Sequence, residues 1–298
     1  MTDATVDLAI IIVSWNVRDL LRKCLASLLL DLASSSLSAR IIVVDSASGD
    51  GTPSMVRDEF PIVELVASDV NIGFVKGNNL GAERLGIRSD ESQSHTNPAT
   101  PPFIWLLNPD TDVRPGATQL LVEFMRQNPR CGLCGPRLLN PDGSLQQGAF
   151  AFPGLLQLAF ETQPLLWRFR GRPLDGRYPA SKYDSKKAFR IGHPLGAAML
   201  ARTKAIAEVG MLDPGYEMYA EEVDWAMRMK RAGWECWCVP EAVVVHYGGA
   251  SSGQATERTE RIKWHSRQRY YRKYYAPLKL WLANRLVPSQ YREPLHLS

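Results

Sequence analysis

The 298-residue chain lacks a membrane-length apolar run. Its longest early apolar stretch, LAIIIVSW, is far too short to cross a bilayer. No basic segment precedes that stretch, so it does not read as a secretory leader, and a cytoplasmic location is expected. Cysteine is scarce. Five cysteines, an odd number, argue against a secreted disulfide framework. Cys131 and Cys134 form C-x-x-C, and Cys236 and Cys238 form C-x-C. Four thiolates could hold zinc, but the irregular spacing and strand-like surroundings favour small buried side chains. No glycine-rich phosphate loop follows the first apolar stretch, and no repeat of solenoid period exists.

A strong net charge of either sign is also missing. Charged residues make up 22% of the chain and the net charge is only +4. The distribution is uneven. Residues Thr256 to Ser298 carry ten Lys/Arg against three Glu, a net +7, so the rest of the chain is net −3. A local basic excess implies an anionic surface near the C-terminus.

Strand and helix patterns alternate through the first half. DLAIIIVSW, ARIIVVD and PFIWLLN read as strands buried on both faces, and IVELVAS as a further strand between them. Between them lie helical patterns. In NVRDLLRKCLASLL, Leu20, Leu21, Cys24, Leu25, Leu28 and Leu29 share one face. SGDGTPSMVRDEF restarts a helix with Thr52 as N-cap and Pro53 at the first helical position. NIGFVKGNNLGAERLG is a loop running into a helix, and RPGATQLLVEFMRQNP is another helix. Such alternation predicts an α/β fold with an open, mostly parallel sheet covered on both faces. Ser89 to Pro102 is polar and Pro-rich, the composition of a surface insertion.

Beyond Asn140 the pattern weakens. FPGLLQLAF and LLWRFRGRPLDGRY suggest irregular or helical structure. GHPLGAAMLAR reads as a strand, and EEVDWAMRMKRAG as a helix with Gly233 near its C-cap. WECWCVPEAVVVHYGG reads as two short strands ending on His246.

Ligands of open α/β sheets bind beyond the carboxyl ends of the strands. Those ends carry Ser14, Trp15 and Asn16, then Asp45, then Asn71 to Asn78, then LLNPDTDV with Asp110, Thr111 and Asp112. Two carboxylates one residue apart at a strand end converge on one side and repel each other unless a cation or proton sits between them. Hard oxygen donors suit Mg2+ or Mn2+. A solvated Asn-Pro-Asp turn is the plain alternative.

Taken in order, VSWN, VVD, NIGFVKGNN, NPDTDV, the stretch LGAAMLARTKAIAEVGMLDPGYEMYAEEVDWAMRMKRAGW and VVVHYGGASS resemble family 2 glycosyltransferases of the GT-A fold. The likeness covers about residues 6 to 275 and is nearest the bacterial rhamnosyltransferase-like branch, which builds cell-surface polysaccharide. It implies inverting sugar transfer from a nucleotide-diphosphate donor, with dTDP- or UDP-sugars favoured, to a saccharide or lipid-linked acceptor. By that resemblance Asp110 and Asp112 match the D-x-D metal motif, with Thr111 between them against the donor. Asp45 matches the residue that accepts a hydrogen bond from N3–H of uracil or thymine. Trp15, flanked by Ser14 and Asn16, sits where an aromatic residue meets the base. Lys76 and Asn78 lie in the loop near the diphosphate, and His246 matches a third metal ligand. The family's catalytic base is the second member of a Glu-Asp pair at a helix start. Here the pair reads Glu221-Glu222, so Glu222 takes the position and Glu221 stays a contender. Asp224 lies four residues before Arg228, the spacing of a helix-surface ion pair.

The implied organisation is a GT-A domain over about 1–255, with a donor half to about 135, and a basic helical extension over 256–298. The extension interleaves cations with aromatics. No nucleic-acid module is recognisable in it, and a helix lying on an anionic membrane surface fits better than nucleic-acid binding. A helix packed on the domain is the plain alternative. Two competing functions are a sugar nucleotidyltransferase, which would need the missing glycine-rich loop, and a nucleotide- or glycan-binding module without catalysis.

Overall fold

A computed structural model describes residues 6–87, 100–163, 175–248 and 257–293. The polar insertion to residue 99 and residues 164–174 lie outside the described residues. The chain starts as its apolar periodicity predicts. Strand β1 (Leu8–Ser14) is followed by α1 (Arg18–Ala33), β2 (Ala39–Ser46), α2 (Thr52–Glu59), β3 (Glu64–Ser68), α3 (Gly73–Glu83) and β4 (Phe103–Leu107). These four strands pair in parallel in the order β3-β2-β1-β4. Leu8 through Ile12 have no exposure, because alternate side chains of β1 feed cores on opposite sheet faces. In α1, Leu21, Cys24, Leu25 and Leu28 are buried, while Leu20 and Leu29 stay at the edge of that face. Gly51, at φ 84, holds the N-cap of α2, so Thr52 is already helical and Pro53 follows it. Thr52 instead hydrogen-bonds Asp50 Oδ1 through its hydroxyl at 2.6 Å.

The second half departs from the parallel pattern. It contains β5 (Thr111–Val113), α4 (Ala117–Gln127), β6 (Cys131–Leu139), β7 (Leu145–Gln146), β8 (Ala149–Phe150), α5 (Leu155–Thr162) and α6 (Ala180–Asp184). It continues through β9 (Phe189–Ile191), β10 (His193–Pro194), β11 (Ala198–Arg202), α7 (Thr203–Val209), α8 (Glu221–Arg231) and β12 (Glu235–His246). The sheet extends as β4-β11-β6-β12-β5, and β11 runs antiparallel to both of its neighbours. The expected single strand in GHPLGAAMLAR is split into β10 and β11, with β10 paired to β8 in a separate ribbon. The expected pair of strands ending at His246 is one strand, β12, with a register shift between Val239 and Val243 where Pro240 interrupts the ladder.

Helix α3 lies close on β1 because two of its residues have no side chain. A Cβ on Gly77 would sit 2.7 Å from Val13 Cγ1, and one on Gly81 would sit 2.5 Å from Ile11 Cγ2. The cysteines are all buried and free. Cys131 and Cys134 join one core and Cys236 and Cys238 the other, so the four thiols divide across the sheet rather than gather on a metal.

The basic extension forms α9 (Glu257–Tyr274) and α10 (Pro277–Leu286). The aromatic face of α9 is internal. Trp264, Tyr270 and Tyr271 are buried in the same core as Ile11 and Met199. Helix α10 differs. Leu278, Trp281 and Leu282 stand out from it at 72%, 42% and 40% exposure. Among the described residues no helix is long and apolar enough to cross a membrane.

Candidate active site

The carboxyl end of β4 carries the Asp110–Asp112 segment, and α1 holds that segment from beneath. Three residues on one face of α1 make the contacts. Cys24 Sγ lies 3.3 Å from Thr111 Oγ1, Ser27 Oγ accepts the Val113 N–H at 3.1 Å, and Asp31 accepts the N–H groups of Gly116 and Thr118. Asp31 is 2% exposed and caps α4 from a neighbouring helix, supplying what the N-terminus of α4 lacks in its own sequence. Thr111 donates its hydroxyl to Asn108 O at 2.8 Å, which closes the turn. Burial pushes the Cys24 thiol up to about 12, so it stays an uncharged filler.

Strand β12 brings His246 to the same place by pairing with β5, where His246 faces Thr111. His246 Nε2 lies 3.3 Å from Asp110 Oδ1, and the Tyr247 N–H donates to Asp110 O at 2.9 Å. Asp110 is 6% exposed. Asp112 does not join the pair directly; its carboxylate faces the Arg114 guanidinium at 3.4 Å. Among the described residues no group of three His, Cys, Asp or Glu is arranged to hold a metal. Asp110 and His246 form a two-donor half-site of mixed oxygen and nitrogen character. That set fits a divalent cation which completes its shell with substrate oxygens.

The neighbouring strand ends form the rest of the rim. Ser14 and Asp45 are partners across β1 and β2. Asp45 Oδ2 accepts the Ser48 N–H at 2.9 Å, whereas Oδ1 is buried without a partner, as is Ser14 Oγ. Asn16, in the left-handed region at φ 52, locks the adjacent loop: its N–H donates to Ser48 Oγ and its Oδ1 accepts the Gly49 N–H. Trp15 is 41% exposed and thus free to meet a ligand rather than fill the core. Ser46 donates to Asn71 Oδ1 and accepts the Ile72 N–H, pinning the start of α3. Lys76 is exposed on α3. Asn78 is buried, and its Nδ2 is used within the helix on Phe74 O at 2.9 Å.

Glu221 and Glu222 open α8 after two residues in the left-handed region, Tyr219 and Ala220. Glu221 is 5% exposed and Glu222 is partly exposed; each has a buried Oε2 with no hydrogen-bond partner. Burial raises the carboxyl pKa of both, and for Glu221 the neighbouring Glu222 charge adds to it. The pair approaches the aspartate turn through the residues just before β11. Glu221 Oε1 comes within 3.9 Å of where a Gly196 Cβ would be, and the next residue, Ala197, accepts the Asn108 N–H at 2.8 Å. Asn108 Oδ1 is also buried and unpartnered. Five buried polar atoms without partners therefore belong to this rim and to α8: Ser14 Oγ, Asp45 Oδ1, Asn108 Oδ1, Glu221 Oε2 and Glu222 Oε2. Buried polar groups are seldom left so, and a polar ligand at the strand ends would supply missing partners.

Asp224 has a different role. It is fully buried, not part of a surface pair. It accepts from Arg228 Nε at 2.7 Å, Tyr274 Oη at 2.7 Å and Lys273 Nζ at 2.7 Å, which ties α9 to α8. Gln146 and Asp31 went unnoticed in the sequence. Asp31 was visible in principle, as a carboxylate seven residues after Cys24 on the apolar face of α1.

A family model described as "Glycosyl transferase family 2" matches residues 9–190. The chain is 29% identical over 255 residues to the N-acetylglucosaminyl-diphospho-decaprenol L-rhamnosyltransferase of Mycobacterium tuberculosis, covering 85% of this chain and 79% of that protein. It is 22% identical over 225 residues to the low-salt glycan biosynthesis hexosyltransferase Agl10 of Haloferax volcanii, covering 76% of this chain and 62% of that protein. Among solved structures, the mannosyltransferase PcManGT of Pyrobaculum calidifontis, in complex with GDP-Man and Mn2+, superposes with a TM-score of 0.57 at 16% identity, covering 95% of this chain and 70% of that one. GalNAc-T7 with UDP, GalNAc and Mn2+ gives a TM-score of 0.55 at 14% identity over 81% of this chain; the match spans 43% of that chain. At such identities the two structures speak for the shared GT-A fold alone.

Proposed function

The chain belongs to glycosyl transferase family 2 and is a glycosyltransferase, and on that premise we propose an inverting, metal-dependent transfer of a sugar, L-rhamnose by analogy with the mycobacterial relative, to a lipid-linked saccharide. The observation that carries the assignment of roles is the Asp110–His246 pair, together with unpartnered buried polar atoms at the neighbouring strand ends and at the start of α8. Asp45 Oδ1 accepts N3–H of a uracil or thymine base, and Trp15 stacks on its face. Ser14, Asn16 and Thr111 line the nucleotide, and Lys76 screens the diphosphate. Asn78 shapes the same loop through its bond to Phe74. Asp110 and His246, with Asp112 close by, would hold a Mg2+ or Mn2+ ion. Such an ion would supply electrostatic stabilisation for the leaving nucleoside diphosphate.

The reaction then needs one base. The acceptor hydroxyl oxygen attacks the anomeric carbon from the face opposite the diphosphate. The carbon–oxygen bond to the diphosphate breaks, the configuration inverts, and the hydroxyl proton passes to a carboxylate. Glu222 fits that role better than Glu221 because it is the more exposed of the two, and burial raises its carboxyl pKa. Family membership also speaks against the nucleotidyltransferase reading.

A lipid-linked acceptor requires access to a membrane. The exposed Leu278, Trp281 and Leu282 of α10 lie three and four residues apart, on one face. Helix α10 itself adds Lys279 and Arg285 and no acidic residue. This supports docking of α10, rather than α9, on an anionic cytoplasmic leaflet. Calorimetry with MnCl2 and dTDP or UDP tests the core of the proposal. Asp110→Asn should weaken metal-dependent nucleotide binding at least tenfold, and unchanged affinity would remove Asp110 from the site.

A further inference from the structure

The imidazole of His246 is approached from both sides by oxygen atoms, and a chain of hydrogen bonds fixes which nitrogen carries its proton. The chain starts at Asp142, in the turn between β6 and β7. Hydrogen bonds from the Ser144 hydroxyl and N–H hold the Asp142 carboxyl below its usual range, so it only accepts. The Ser144 hydroxyl donates to Asp142 Oδ1 at 2.6 Å. Ser144 Oγ must then accept its remaining neighbour, Asn140 Nδ2, at 2.9 Å. That turns Asn140 Oδ1 toward Gln146, whose Nε2 donates to it at 3.0 Å and to His246 O at 3.2 Å. Gln146 Oε1 is left facing His246 Nδ1 at 2.8 Å. A carbonyl oxygen there demands a proton on Nδ1.

We infer that Gln146 is a positioning residue: it holds His246 in the Nδ1-protonated tautomer, so that the Nε2 lone pair faces Asp110 Oδ1 and the two together seat a divalent cation. In the neutral ring, a lone pair and a carboxylate oxygen 3.3 Å apart repel unless a positive species lies between them. Partners that orient a ligating histidine through its other nitrogen affect metal affinity by about 10–100-fold. Gln146 is placed for this by its strand. Residue 146 of β7 pairs with Leu138 of β6, and β6 also pairs with β12, which carries His246. The inference rests on the reading of His246 as a ligand.

The two can be separated. In metal-free protein at pH 8, the 15N shifts of the His246 ring should show a protonated Nδ1 and a bare Nε2. Gln146→Leu should abolish that bias and weaken Mn2+ binding, followed by calorimetry with Mn2+ alone, by about tenfold or more. Gln146→Glu retains an acceptor opposite Nδ1 although it loses the donors to Asn140 Oδ1 and His246 O, and it should keep the tautomer that Gln146→Leu loses. Metal-free melting of each variant checks that the fold persists. An unchanged tautomer and affinity in Gln146→Leu, with His246→Ala weakened, overturns the role of Gln146. Native Mn2+ affinity in His246→Ala overturns the ligand reading instead, and with it the inference.

Discussion

Replacing Asp224 by asparagine should destabilise the protein by about 3 kcal/mol, the lower end of the cost of breaking a buried ion pair. The side chain is 0% exposed and its partner Arg228 is 15% exposed, so solvent screens the pair little. Asparagine keeps the volume, so no cavity term enters. The low end of the range applies because the freed cations keep other partners. Arg228 still donates to the carbonyls of Val209 and Met211, and Lys273, 35% exposed, still faces Asp213 at 3.0 Å. For a chain of this length, that loss lowers Tm by roughly 5 °C. Urea unfolding followed by tryptophan fluorescence measures it. Asp224 makes no contact at the rim, so transfer activity at low temperature should fall less than about threefold, well under the 1.4 kcal/mol that a tenfold change represents. A loss below 1 kcal/mol, or an activity loss of a hundredfold with stability intact, would refute the view of Asp224 as the bolt between α8 and α9.

Three further outcomes follow from particular atoms. Because burial lets the folded Glu221 and Glu222 carboxyls keep their protons to higher pH than the unfolded chain does, their contribution to stability is present below the ordinary glutamate range and fades as pH rises through the folded values. Glu222→Gln should therefore flatten that part of a Tm–pH curve and raise Tm at pH 8 while ending transfer; a lower Tm at pH 8 contradicts the raised pKa. Gly81→Ala forces a methyl to 2.5 Å from Ile11 and should cost about 1–3 kcal/mol in urea unfolding, whereas an unchanged midpoint would mean that α3 can lift off β1 freely. Leu278→Glu with Trp281→Glu should abolish sedimentation with vesicles containing phosphatidylglycerol without changing Tm, and equal sedimentation of the variant would move the docking surface elsewhere.

The first half of the fold was legible because its strands are parallel and buried on both faces. Continuous runs such as LAIII can then be nothing else, and the polar residues that end them fall at one rim. The second half was less so. β10 and β11 interrupt one apolar run, and β12 bends at Pro240 without ending, a choice between two strands and one that depends on the partner β6. In the tail, composition alone could not tell an aromatic face bound for the core from one bound for a membrane. Tyr270 and Tyr271 went inward on α9, while Trp281 on the next helix stayed out. At the proposed site, Asp45, Asp110, His246 and the Glu221–Glu222 pair are singled out by the order of motifs that resembles the family. Asn108 and Gln146 carry no such signal, because each acts through a hydrogen bond to a residue distant in sequence.

The most direct measurement is acceptor-dependent release of nucleoside diphosphate from dTDP-, UDP- and GDP-sugars, with Mn2+ and a polyprenyl-diphosphate-linked saccharide. The account predicts release from one donor class, dependent on metal, with Asp110→Asn and Glu222→Gln each reduced by about a thousandfold, near 4 kcal/mol of lost transition-state stabilisation. Release that is indifferent to both substitutions would contradict it, as would no release from any donor.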